Sequence, residues 1–430
     1  MIKQIFKIIW NQRRSNGWIW MELLVVFVAL WYLVDMFVVQ FYSYSRPLGY
    51  DITNCWRLSF DVYPEDAAEY VSDTTQAPTE GEALARILER LRRAPEVDNA
   101  CVAFYSSPYS GGNSWTQIMP CTADSGKFKE QSYHQYTVSP EFYDVFRIRS
   151  REGQLLSELL NKKQLEYFIT PDLEKDFFGE ESAVGQKVCY PGSSMREIRI
   201  AAVTVPVRMT EFVKPEPELF FTMRPKELER QVNASGVANM EITVRMKEDL
   251  TPEQMGTFLN RMKSQLTENN LYVASMKDMK QQRSERLRSE WRKISINLLL
   301  SVFILLNVLF GITGTFWLRI EQRRSETGLR MALGSTRRRV GWFFTAEGWL
   351  LLTTVTPLVL FVMFNMIHME IPDLYNLPFS WWRFAVGFGG VLLLMGLIIA
   401  LGTWLPARRA MKLQPAEALH YEYLNSATLL

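Results

Sequence analysis

Four long apolar runs, at residues 18–42, 294–318, 340–367 and 381–405, constrain this chain more than any other feature. A bilayer core about 30 Å thick takes about 20 residues of helix to cross, and backbone groups in lipid must find their partners within the segment. Each run is long enough, and aromatic residues such as Trp18, Tyr42, Trp381 and Trp382 stand near the ends, where an interfacial belt sits. The expectation is a membrane α-helical protein with four transmembrane helices. The first run exceeds the 7 to 15 residues, roughly, of a signal-peptide core. No small-residue cleavage pattern follows before Tyr42, Tyr44 and Arg46, so it reads as a retained anchor. Ahead of it, Ile2, Ile5, Phe6, Ile9 and Trp10 fall at helical spacing, with Lys3, Lys7, Arg13 and Arg14 mostly elsewhere on the turn. Residues 1–17 therefore read as a cytoplasmic amphipathic segment on an anionic lipid surface or, equally, as a simple positive topology signal.

The charge of each loop sets the orientation. The N-terminal segment is basic, and the loop at 319–339 carries Arg319, Arg323, Arg324, Arg330, Arg337, Arg338 and Arg339 against Glu321 and Glu326. The loop at 368–380 has Glu370 and Asp373 and no Lys or Arg, while the tail at 406–430 has Arg408, Arg409 and Lys412. Both termini are expected in the cytoplasm, with the large domain on the other side of the membrane. A net charge of +2 excludes a strongly basic nucleic-acid binder. Within the spans, Glu22, Asp35 and Glu347 would be costly against lipid, but a second ionisable group does not sit in each span, as a proton relay would require.

Residues 43–276 alternate strand-like and helix-like patterns, which argues for an α+β domain inserted between the first two spans. A strand-like run at 56–62, a helical stretch at 80–93 and a strand-like run at 100–105 are echoed by 240–246, 252–266 and 271–274, so two β-α-β units flank a β-rich insert. Residues 277–293 are charged, free of Gly and Pro, and run into the second span as a stalk helix. All four cysteines, Cys55, Cys101, Cys121 and Cys189, lie in this domain without the short paired spacing of a zinc site. Pairing of 100–105 with 114–122 as a hairpin about Gly111 would set Cys101 opposite Cys121, which predicts a disulfide between them.

Catalytic motifs are missing from this sequence. The nearest Walker A candidate, Gly179 to Lys187, has five residues between its glycines and a Gln before the Lys. His134, His368 and His420 are scattered, and no nucleophile elbow or zincin motif occurs. The reading is a non-catalytic subunit that binds no cofactor of its own.

Residues Arg324 to Ser335 include Glu326, Gly328, Arg330, Ala332 and Gly334 in a pattern that resembles the E-x-G-x-R-x-A-x-G motif of FtsX-like permeases. Pro406-Ala407-Arg408-Arg409-Ala410 and Pro415-Ala416-Glu417-Ala418-Leu419 are similar to the motif closing that family after its last span. Ser139 to Phe146 with Arg151-Glu152-Gly153, then Phe177-Phe178-Gly179 and Val184 to Val188, resemble the periplasmic core domain of MacB-type permeases. Met331 and His420 depart from the family, standing where basic residues are common. The resemblance implies a permease subunit of an ABC-type complex. ATP and Mg would be bound by a separate cytoplasmic P-loop ATPase, whose closure would move the periplasmic domain for export of a compound, peptide or lipoprotein. It also implies a second permease chain, identical or paralogous, with a periplasmic adaptor and an outer-membrane duct. Glu326, Gly328, Leu329, Arg330, Ala332, Leu333 and Gly334 are the expected contacts to the ATPase. Small residues permit close approach, and Glu326 and Arg330 are one helical turn apart. The alternatives are an FtsX-like regulator of a periplasmic cell-wall hydrolase, against which the large domain argues, and a membrane-anchored receptor, which leaves the basic loop motif unexplained.

Overall fold

The structure, a computed structural model, describes residues 13–72, 77–122, 131–161, 164–190, 197–322, 329 and 333–410. The chain divides into a helical unit, Met1–Tyr44 with Glu290–Leu430, and a sheet unit, Ser45–Ser289.

Helix α1 (Arg13–Ser45) opens the described chain. The sheet unit then runs β1 (Cys55–Val62), α2 (Glu80–Arg93), β2 (Val97–Phe104), β3 (Trp115–Gln117), β4 (Met119–Pro120), β5 (Ser132–Val138), the short α3 (Phe142–Val145) and α4 (Leu156–Leu159), and β6 (Glu166–Ile169). It continues with α5 (Pro171–Phe178), β7 (Lys187–Cys189), β8 (Ile198–Val203), β9 (Glu218–Thr222), α6 (Pro225–Ser235), β10 (Met240–Met246), α7 (Pro252–Met262) and β11 (Leu271–Asp278). Helices α8 (Met279–Gln322), α9 (Arg337–His368) and α10 (Trp381–Ala410) follow.

The two β-α-β segments start their helices with the same local signal. Thr79 accepts from Glu82 N at 3.3 Å while Glu82 accepts from Thr79 N at 3.2 Å. Thr251 and Gln254 repeat the reciprocal pair at the start of α7, so both ends satisfy donors that would otherwise be orphaned. Helix α2 buries Ala83, Leu84, Ile87, Leu88 and Leu91, and α7 buries Met255, Phe258 and Met262, each at helical spacing. Both stripes enter a core with Trp56, Leu58, Phe60, Ile242 and Val244.

The strands run in the order β11-β1-β10-β2-β5-β9-β6-β8-β7-β4, with β3 on β5. The two β-α-β segments are therefore interleaved, with β10 antiparallel to both β1 and β2, in a split β-α-β arrangement. Every residue of β10 is buried. The insert adds its strands to the same sheet, through β5 parallel to β9 and β6 antiparallel to β9. β11 reaches Asp278, so the helix into the second span starts at Met279, two residues after the expected stalk start at 277.

The disulfide expected between Cys101 and Cys121 does not form. Cys121 is bonded to Cys189, with Cα atoms 5.2 Å apart, while Cys55 and Cys101 are buried and free. The local hairpin loses to longer-range pairing: β2 is flanked by β10 and β5, which puts Cys101 opposite Thr243. Residues 119–120 instead pair with β7, bringing Cys121 beside Cys189. Burial pushes the Cys55 thiol up to about 12 and the Cys101 thiol well above its ordinary range, so neither is a ready thiolate.

Among the described residues, four helices contain stretches long and apolar enough to cross a membrane: Gly17–Ser45, Met279–Thr315, Arg339–His368 and Trp381–Trp404. Their core joins Leu23, Phe27 and Trp31 of α1 with Val308 and Ile312 of α8, Leu351 and Val355 of α9, and Val391 and Met395 of α10. Small residues admit the close contacts that association in lipid needs. A methyl at Gly396 would collide with the Trp349 ring, and one at Gly311 would lie 2.6 Å from Glu22 Oε1.

Candidate functional site

Of the residues expected to meet an ATPase, Glu326, Gly328, Arg330 and Ala332 lie outside the described residues. Leu329, Leu333 and Gly334 are described. Leu333 N donates to Leu329 O at 3.0 Å, which is one helical turn. Gly334 ends it at φ +94°, in the left-handed region where a glycine cap is at ease. Thr336 then caps α9 by accepting from Arg339 N at 3.4 Å. The two leucines are 51% and 79% exposed.

A second constellation lies inside the helical unit. Asp35 of α1 faces Arg383 of α10, with Arg383 Nε to Asp35 Oδ1 at 2.8 Å and Nη2 to Oδ2 at 2.5 Å. This is a bidentate pair with side chains only 3% and 5% exposed. The remaining guanidinium nitrogen donates to Asp373 O at 3.0 Å and to Leu377 O, so one arginine fixes two helices and the loop before α10. Asp373 in turn accepts from the backbone of Tyr375 and Asn376, at 3.1 and 3.0 Å. Sequence alone sets Asp35 beside Glu22 and Glu347 as a costly group within a span and assigns it no partner. The missed signal was a single arginine at the start of the fourth apolar run, on the side towards which Asp35 lies.

The third constellation is a buried polar junction in the sheet unit. Arg208, only 2% exposed, sends Nε to Pro47 O at 3.1 Å, Nη2 to Arg46 O, and Nη1 to Glu211 O at 3.0 Å. Its own N donates to Leu48 O at 3.0 Å. The segment that follows α1 is thus held by one side chain. Glu211 Oε1 accepts from Tyr109 OH at 3.0 Å and from Arg283 Nε, on the first turns of α8, at 2.5 Å. Gln282 donates to Tyr109 O at 3.2 Å, and Tyr50 OH donates to Met209 O at 3.3 Å. Burial holds the Tyr50 and Tyr109 phenols above their ordinary range, so both stay protonated donors. Burial also lowers Arg208 somewhat, opposed by Glu211. The junction ties the segment entering the sheet unit to the helix leaving it. No sequence motif marks it, because its members are spread from Arg46 to Arg283 and only the fold assembles them.

Residues 298–415 match the FtsX-like permease C-terminal family, a stretch that holds most of the apolar part of α8, the Leu329–Gly334 turn, α9 and α10. The chain is similar to the periplasmic region of MacB from Actinobacillus actinomycetemcomitans, at 12% identity over 55% of this chain and 94% of that one, with a TM-score of 0.34. It is also similar to the extracellular domain of the noncanonic ABC-type transporter YknZ from Gram-positive bacteria, at 13% identity over 51% of this chain and 100% of that one, with a TM-score of 0.30. No curated protein matches the chain.

Proposed function

We propose that this chain, an FtsX-like permease by its C-terminal helices, is the permease subunit of an ABC-type complex in a bacterial inner membrane. A separate cytoplasmic P-loop ATPase holds ATP and Mg, and its stroke becomes motion of the sheet unit on the periplasmic side. The Arg208–Glu211 junction carries this reading. An ordinary tether needs no buried tie between its two connections, whereas a unit moved by a helix needs its entry and exit to move together. Hydrogen bonds to charged groups contribute about 1.5–3 kcal/mol each, and the junction has several on Arg208 and Glu211.

Three further observations support the arrangement. A disulfide such as Cys121–Cys189 persists in an oxidising compartment, which agrees with a periplasmic sheet unit and with both termini in the cytoplasm. The Leu329–Leu333 turn offers exposed apolar side chains beside the arginine-rich loop, as a coupling element docked on an ATPase would. On α8, Leu299, Phe303, Leu306 and Phe310 form an exposed stripe that includes Asn307, whose side chain donates to the Phe303 carbonyl of its own helix at 2.8 Å and to no other helix among the described residues. A mid-span amide facing lipid is unfavourable, so this stripe meets a second permease chain, identical or paralogous. A periplasmic adaptor and an outer-membrane duct would complete export of a compound, peptide or lipoprotein.

The test uses Gly328→Leu and Glu211→Gln, each expressed at normal levels with the ATPase. Gly328→Leu is expected to leave the permease inserted but to reduce co-purifying ATPase. Glu211→Gln is expected to keep the ATPase bound while abolishing the ATP-dependent signal of a fluorophore in the sheet unit. Full retention of binding in the first and of the signal in the second would refute the coupling mechanism.

A further inference from the structure

β11 is the last strand of its sheet: it pairs with β1, and beyond the isolated bridge of Leu271 to Glu268 its other side pairs with no strand among the described residues. Beside that open edge α7 overhangs a groove of about 310 Å³, lined by Tyr272 to Met276 of β11 and by Tyr63 just past β1, with Gly256, Leu259 and Asn260 of α7 and Lys263 at its C-terminal cap. The groove lies where a twelfth strand would be added. Main-chain donors and acceptors along an open edge are satisfied best by another strand, which selects an extended polypeptide over a helix or a compact ligand.

The helix wall bears this out. Met255, Phe258 and Met262 point into the core, while Gly256, Leu259, Asn260 and Lys263 repeat along the neighbouring face at i, i+3, i+4 and i+7. Gly256 is interior to α7, where glycine is less favourable to a helix than alanine. A Cβ there would make only an ordinary contact, 3.6 Å from Met276 Cε. The fold therefore does not require the glycine, but an open groove does. At one end, the stacked rings of Tyr63 and Tyr272, 4.2 Å apart, form a flat apolar wall next to Lys263 and Thr267. Lys263 is exposed and has no ion-pair partner among the described residues. Lys263 and Tyr272 lie at the end where β11 begins, and Gly256 and Met276 lie further along it. A strand added antiparallel to β11 would thus finish its chain beside the ammonium.

We propose that this groove binds the free C-terminal end of a partner polypeptide as an added antiparallel strand, with its terminal carboxylate on Lys263. From Gly256 to Lys263 the helix advances about 10 Å, which covers about three residues of strand, so recognition is confined to the last few residues.

The experiment uses the full chain in detergent micelles and a fluorescent hexapeptide of alternating threonine and valine, as the free acid and as the C-terminal amide. Fluorescence polarisation is expected to saturate with the free acid and to require about tenfold more protein with the amide. Lys263→Glu should weaken free-acid binding by at least that factor. Gly256→Leu, which favours the helix, should abolish binding while the melting temperature is kept. Equal binding of acid and amide, unchanged binding by Gly256→Leu, or no saturation at millimolar protein would each overturn the proposal.

Discussion

Replacing Arg383 by Met leaves the Asp35 carboxylate buried without its two charge-assisted bonds, and leaves the Asp373 and Leu377 carbonyls without the same donor. Breaking a buried ion pair from one side costs about 3–5 kcal/mol, because the surviving charge stays uncompensated. Asp35→Leu should cost a similar amount, since the guanidinium then retains only carbonyls. If the two losses were independent, the double variant would lose about 6–10 kcal/mol. With the pair coupled, removing both charges leaves only the carbonyl bonds lost, at about 1 kcal/mol each, so the double variant should lose about 2 kcal/mol. The assay is reversible unfolding of the full chain in mixed micelles as the mole fraction of denaturing detergent rises, followed by tryptophan fluorescence. A double variant as unstable as the sum of the singles would refute the view that this pair is one unit.

The Cys121–Cys189 bond closes a separation of 68 residues, so reduction should destabilise the sheet unit by about 4 kcal/mol on the chain-entropy account. A urea titration of the full chain that follows sheet-unit signals with and without reductant checks this. Asn307→Leu should shift the permease from dimer towards monomer in detergent, read by mass photometry, and an unchanged dimer would remove Asn307 from the interface.

The four apolar runs and an α+β domain after the first of them were legible because periodicity and hydropathy are local quantities. The helix starts at Thr79 and Thr251 were equally open to reading, since a capping box is written within four residues. Strand order was not. Nothing in residues 97–104 says that β10 will lie on one side and β5 on the other, and local pairing alone, as a hairpin about Gly111, gives Cys101 a nearby partner. Glu241 shows why that failed: it accepts from Ser106 N at 2.8 Å and Ser107 N at 2.5 Å. The end of β2 is thus secured by a residue well over a hundred positions away in sequence. Arg383 and Arg208 escaped for the same reason, as each acquires its role only from carbonyl and carboxylate groups brought in by distant segments.

The interleaving of the two β-α-β segments also sets an order of events during synthesis. β1 and β2 leave the ribosome long before β10, the strand that must lie between them, and they cannot close on each other without losing their places. Both remain exposed strand edges, the kind of surface that invites wrong pairings, until residue 246 has been made. β11 completes the sheet and passes to α8 with no intervening residue, between Asp278 and Met279. The sheet unit therefore becomes whole only as the second apolar run is being made, and anchoring and folding must finish within the same short interval of translation.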